Sequence, residues 1–283
     1  MKKTLLTICL VWMCFSLSAQ KIIDLSGKWS FSIDRQDNGE KEKWFSHTLN
    51  DCINLPGSMP EKLKGDEVTA KTQWTGSLYD SSYYYNPYME KYRKEGNIKF
   101  PFFLTPDKHY VGAAWYQKEV NIPADWKGER ILLFLERPHI ETTVWVNGQK
   151  TGMQNSLCVP HQYDITHYVR PGKCTITIRV DNRIKEINVG PDSHSITDQT
   201  QGNWNGIVGR ICLQTTPKTY FDDIQIYPEP EQKLARVKVV IKGTGTAKVK
   251  LSAESFNTDK KHIVPAIQQE IKLNKGETET EMV

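Results

Sequence analysis

Ten residues, Gly202 to Ile211 (GNWNGIVGRI), gather two asparagine amides, one indole and three glycines before the run turns apolar. Amides and carboxylates donate to and accept from hydroxyl groups, and a large aromatic face is out of place at a flexible loop tip unless something covers it. The stretch just upstream, SHSITDQTQ (193–201), is polar, lacks a hydrophobic period and supplies a carboxylate, Asp198. Two readings compete. Either Trp204 packs beneath its own loop while Asn203 and Asn205 turn the chain through left-handed conformations, or the segment presents polar and aromatic groups to a ligand. Other chemistries lack their residues: there is no Ser-His-Asp pattern, no HExxH and no CxxC, and the seven histidines are scattered.

The elements that must hold this loop are strands. GKWSFSI (27–33), AWYQKEVNI (114–122), RILLFLE (130–136), TTVWVNG (142–148), CTITIRVDN (174–182) and GRICLQT (209–215) are short, alternating and rich in β-branched and aromatic residues. Separated by Gly, Pro, Asn and Asp, they predict an antiparallel sandwich or jelly roll. Asn147-Gly148 fits the two positive-φ positions of a tight type I′ hairpin. Trp115 and Trp145 read as core, Asp164 as the cap of a one-turn helix, and 89–94 as a short helix. The latter lies inside a Tyr-rich stretch, 66–106, too long for a plain loop. Its tyrosines (79, 83, 84, 85, 88 and 92) are read as packing the segment onto the body, with a carbohydrate platform as the alternative. From Thr216-Pro217 onward, further short strands suggest a second sandwich with too few residues for a full immunoglobulin-like unit of about 100.

Composition narrows the function classes. MKKTLLTICLVWMCFSLSAQ has two lysines, an apolar run and small residues at Ser18-Ala19, so residues 1–19 read as a secretory signal peptide. Without Lys2 and Lys3 the formal charge falls from +4 to +2, and no basic patch with interleaved aromatics offers itself to nucleic acid. No later segment reaches the ~20 apolar residues of a membrane span. The mature chain is therefore expected to be exported, periplasmic or extracellular. Four widely spaced cysteines remain, and Cys174 and Cys212, lying in strands, read as buried free thiols. No metal or cofactor is expected.

In order along the chain, LSGKWSFSID, INLPGSM, VGAAWYQKEVNIP, RILLFLERPHIETTVWVNGQKTG, QYDITHYVRPGKCTITIRVDN and GNWNGIVGRICLQTTPKTYFDDIQIYP occur together. This set, from about Asp24 to Pro228, resembles the N-terminal sugar-binding domain of glycoside hydrolase family 2, which includes β-galactosidases, β-glucuronidases and β-mannosidases. The resemblance implies an all-β chain: a jelly-roll (galactose-binding-like) β-sandwich over 20–218, then the start of an immunoglobulin-like β-sandwich over 219–283. It also implies a barrel carrying two catalytic glutamates that retain anomeric configuration, and neither barrel nor glutamates is in this sequence. The Tyr-rich insertion departs from the family pattern and leaves the subfamily open.

A retaining glycosidase needs two carboxyl groups about 5–5.5 Å apart. The candidates here, Glu136, Glu141, Asp164, Asp181, Asp192 and Asp198, mostly end strands or cap turns, so no catalytic residue is assigned. By the resemblance, Asp198, Asn203, Trp204 and Asn205 are the substrate-binding residues, lining a sugar subsite at the barrel mouth, with Asp107 and His109 as weaker candidates. The expectation is the non-catalytic N-terminal portion of an exported, β-galactosidase-like hydrolase. Its partners would be a terminal β-linked sugar and the missing C-terminal barrel. The alternatives are a stand-alone carbohydrate-binding module and a structural β-sandwich of an exported assembly.

Overall fold

The computed structural model describes residues 20–76, 81–102, 104–185, 193–254 and 263–283. The predicted signal peptide, Tyr79 and Asp192 lie outside them. Strands dominate, as expected. The first are Ile22–Asp24 (β1), Gly27–Asp34 (β2), Asp51–Leu55 (β3), Gly57–Ser58 (β4), Asp66–Glu67 (β5) and Lys108–His109 (β6). Ala113–Ile122 (β7), Arg130–Pro138 (β8), Glu141–Val146 (β9), Gln149–Asn155 (β10), His161–Asp164 (β11), Gly172–Asp181 (β12) and Gly206–Thr216 (β13) follow.

Two antiparallel sheets make the body. One runs β1-β13-β8-β11 with β4 added to β13, and the other runs β10-β9-β12-β7-β2-β3. The non-sequential order is the jelly-roll signature, with partners far apart in the chain. Alternation decides which side chains meet between the sheets. Ile131, Leu133 and Leu135 of β8 and Ile211 and Leu213 of β13 share one core with Trp29 and Phe31 of β2, Tyr116 of β7, Val144 and Val146 of β9, and Ile176, Ile178 and Val180 of β12. Cys174 and Cys212 are buried and unbonded, Cys52 and Cys158 exposed and unbonded. The β9–β10 hairpin turns through Asn147 (φ 50°) and Gly148 (φ 77°), both in the left-handed region that a type I′ turn demands.

Trp115 and Trp145 are buried, but not in that core. On β7 and β9 they point to the opposite face of their sheet, where they stack on each other at 4.9 Å. The excursion after β2 covers them: Phe45 stacks on Trp145 at 5.2 Å and Trp44 tilts against Trp115 at 6.0 Å. The same outer face carries an ion network. Arg179 pairs with Asp37 (2.6 Å), Glu141 (3.2 Å) and Asp181 (3.0 Å), and Arg183 and Lys185 also reach Asp181. Burial alone would raise the Asp181 pKa, but hydrogen bonds from Arg183 and Lys185 outweigh it and hold the carboxyl far below its usual range.

Beyond the body, Tyr220–Glu229 (β14), Leu234–Glu254 (β15) and Ile263–Met282 (β16) form a separate three-stranded antiparallel sheet. The long β15–β16 hairpin shifts register at Gly243/Gly245. One cluster gathers Val237, Val239 and Ile241 before that shift with Val249, Ile271 and Leu273 beyond it. The Tyr-rich insertion holds one short helix, Ser82–Tyr85 (α1), and a 3-10 helix at Pro87–Tyr92 in place of the helix expected over 89–94. Among the described residues no helix is long and apolar enough to cross a membrane.

Candidate functional site

At one end of the sandwich, the chain leaving β12 and the chain entering β13 come together with the start of β7 and the end of β8. Asn205 stands immediately before β13, fully inside this junction. Its Nδ2 donates to Gly112 O (2.9 Å) and Val180 O (3.0 Å), and its Oδ1 accepts from the Tyr116 hydroxyl (2.8 Å). Every polar atom of its amide is used within the fold. Gly206 follows with φ +145°, and a Cβ there would stand 2.5 Å from Gly57 O. The glycine is thus required by a close approach of the chain to itself, where β4 pairs with β13.

Asp198 is likewise a hub. Its Oδ1 accepts the Asn203 N–H at 2.7 Å, closing the loop on itself. Its Oδ2 accepts the Thr75 N–H at 2.6 Å and lies 3.4 Å from Nε2 of His109. Asn203 Nδ2 donates to Thr75 Oγ1 and to Asn182 O, both at 3.0 Å. The loop is therefore tied both to the body and to the insertion. Asp198, Asn203 and Asn205 are all buried.

Trp204 is different. Flanked by two buried asparagines, it is half-buried and stacks on the His139 ring with centroids 4.5 Å apart and planes 21° apart. One indole face is thus backed by an imidazole. Burial pushes the His139 pKa down to about 4, the Asn203 side chain only partly countering it, so the ring is neutral at pH 7. Neither His139 Nε2 nor Asn203 Oδ1 has a partner within hydrogen-bond geometry among the described residues.

The structure brings Asp198, Asn203, Trp204 and Asn205 into one assembly, and of the two weaker candidates it adds His109 but leaves Asp107 exposed. Two members were not legible in sequence. His139 lies in RPHIET at the end of β8, and Thr75 in the insertion, more than 120 residues from Asp198; no local spacing connects them. The remaining candidate carboxylates among the described residues are engaged elsewhere. Glu136 is held by Arg210 (3.0 Å), Asp164 caps Thr166 and pairs with Arg130 (2.8 Å), and Glu141 and Asp181 sit in the ion network. Among the described residues no cluster of three or more His, Cys, Asp or Glu side chains is arranged to hold a metal ion.

Residues 22–217 match the family model described as "Glycosyl hydrolases family 2, sugar binding domain". The chain belongs to this family. Curated relatives include the β-glucuronidases of Homo sapiens and Pongo abelii, each 24% identical over 266 residues that cover 84% of this chain and 35% of the relative. The β-glucuronidase of Paenibacillus borealis is 24% identical, covering 73% of this chain and 31% of the relative. Among solved structures, a β-glucuronidase from Ruminococcus gnavus in complex with D-glucuronic acid superposes with TM-score 0.56 at 17% identity, over 93% of this chain and 40% of that one. An uncultured Clostridium sp. β-glucuronidase gives TM-score 0.55 at 21% identity, over 90% of this chain and 40% of that one. At such identities the structural likeness speaks for the fold. This family 2 chain spans about a third of the length of its curated relatives, and those relatives support the glycoside hydrolase expectation while lending none to its β-galactosidase-like detail.

Proposed function

We propose that this chain works as the N-terminal, non-catalytic part of a β-glucuronidase-like retaining glycosidase, in which it forms one wall of the sugar subsite. In this reading residues 1–19 are an export signal, 20–218 the jelly-roll sugar-binding domain and 219–283 the beginning of an immunoglobulin-like one. The enzyme works outside the cytoplasm. A barrel supplied by the longer protein would carry the two glutamates, one as acid/base and one as nucleophile, for the double displacement.

The observation that supports this most is the contrast within the loop. Asp198 and Asn205 spend their hydrogen bonds on rigidity, while Trp204, backed by His139, keeps surface in reserve. A sugar ring presents an apolar C–H face that such an indole can cover, and rigid support keeps the entropic cost of binding low. Asp198 and Asn203, both buried, hold the loop beneath that indole from inside the fold.

The test is a titration of the purified full chain with methyl β-D-glucuronide and methyl β-D-galactoside, followed by the NMR indole N–H signal of Trp204. The glucuronide should shift that signal at millimolar concentration, and Trp204→Ala should abolish the binding of the same sugar measured by calorimetry. A signal indifferent to both sugars would remove the subsite reading. No turnover of aryl glycosides by the chain alone is expected, and hydrolysis by a verified pure sample would overturn the non-catalytic assignment.

A further inference from the structure

The end of the body opposite the Trp204 loop carries a pocket of its own. Strands β7 and β12, ten residues each, set the two ends roughly 30 Å apart. The pocket lies among the end of β7, the turn into β8, the turn before β12 and the chain leaving β13, and its volume is about 400 Å³. That is within the range of small-molecule sites. Ile122, Trp126, Ile131 and Val169 line it, and all four belong to the buried core.

The backbone around this apolar floor is held in place. Trp126 ends a 3-10 turn, Ala124–Trp126, in which its N–H donates to Pro123 O (3.1 Å). Arg130 anchors the chain on both sides of Lys218: it donates to Thr216 Oγ1 (3.2 Å), and its guanidinium lies over the Tyr220 ring at 3.8 Å.

The rim is charged and one-sided. Lys127, Arg170 and Lys218 line the pocket together with one carboxylate, Glu129. None of the three cations forms an ion pair among the described residues, and Arg170 donates only to the adjoining Val169 O (2.8 Å). Carboxylates close by in sequence are already taken, Asp125 by Lys21 and Asp164 by Arg130, both at 2.8 Å. Trp126 is 3% exposed, and its indole N–H has no acceptor among the described residues. A buried indole normally gives that N–H a partner, so the pocket lining includes an unused donor.

These features complement a ligand with two parts. An apolar body fits the floor, and an anionic group answers three cations that face a single carboxylate. A purely apolar ligand would leave those charges unanswered, and a compact inorganic anion would make no use of the floor.

We propose that this pocket binds a small amphipathic organic anion, in its simplest form an aryl carboxylate. The site stands apart from the sugar reading of the Trp204 loop, and either can fail without the other.

The experiment compares naphthalene-2-carboxylate with its neutral amide, naphthalene-2-carboxamide, on the full chain by calorimetry. The carboxylate should bind at one site per chain and about tenfold tighter than the amide, through charge-assisted contacts. The double variant Lys127→Gln/Lys218→Gln alters exposed side chains only. It should bring the carboxylate down to the affinity of the amide and leave the amide unchanged. In NMR the ring signals of His167, which lines the pocket, should shift with the carboxylate while the Trp204 indole N–H stays in place. Equal affinity for acid and amide, or no binding of either, overturns the proposal. So does an advantage of the acid that survives the double variant, or a shift at Trp204 without one at His167.

Discussion

The two-sheet body and the three-stranded sheet that follows it are made from similar strands, yet they finish their surfaces differently. In the body, both faces of the β10-β9-β12-β7-β2-β3 sheet are covered, one by the second sheet and one by the Trp44–Phe45 excursion. In the β14-β15-β16 sheet, Ile224 and Ile226 of β14 pair with Val239 and Val237, so they share the face on which those valines are buried. Ile226 is nevertheless 63% exposed. Alternation alone therefore does not bury a side chain; a second layer has to be present over it. Rigidity suited to a binding loop belongs to the body, where every polar atom of the Asn205 amide is hydrogen-bonded.

This contrast can be broken or sharpened by experiment, and the largest effect should come from Asn205→Ala. It would strip partners from Gly112 O, Val180 O and the Tyr116 hydroxyl at once, and should cost about 3–5 kcal/mol in denaturant unfolding. A loss below about 1 kcal/mol would mean that this end of the body is not the closed junction described. Acid is the next lever. Burial lowers the pKa of both His139 and His161 to about 4. The unfolded chain, with histidines near 6.5, binds more protons between these values, so stability is complete above about pH 6.5 and falls as pH drops toward 4. Each histidine should cost roughly 2–3 kcal/mol across that window. The β14–β16 sheet has no histidine among its described residues, so a pH melt that affects both regions equally would contradict the assignment.

Smaller effects test the other region. Ile226→Thr should change stability by no more than about 0.5 kcal/mol, as for other exposed positions. A cost above about 2 kcal/mol would reveal that the face is covered in solution. Limited trypsin digestion should cut within residues 220–283 before it cuts the body, because few apolar contacts resist local opening there. Cleavage that starts in β7 or β12 would reverse the comparison.

Much of the architecture was legible in the chain. The alternation of RILLFLE and CTITIRV predicts half-buried strands, Asn147-Gly148 predicts its hairpin, and the buried thiols of Cys174 and Cys212 follow from their strand positions. The site was legible as a segment but not as a set of roles. Asn205 looks from sequence like a ligand-facing amide, and Asp198 like a free carboxylate. Both are committed to neighbours that the strand order delivers from far along the chain: Thr75, 123 residues away, and His109, 89 away, for Asp198, and Gly112, 93 away, Tyr116, 89 away, and Val180, 25 away, for Asn205. The insertion shows the same limit: Tyr83 is buried, as its packing role predicts, while Tyr85 and Tyr88 are exposed.

By itself the sequence determined what depends on period and local backbone chemistry: an all-β chain, its turns, and a polar loop with one aromatic ahead of a strand. These follow from side-chain alternation and from the few residue types that accept positive φ. Only the tertiary structure decided which face each strand buries and which partners each polar group finds. It turned Trp115 and Trp145 outward under a covering loop, drew Thr75 and His139 to the loop of Asp198, and left Trp204 half in reserve. The physical reason is that a hydrogen bond or a stacked ring requires contact in space, and in a jelly roll contact in space is set by sheet order rather than by distance along the chain.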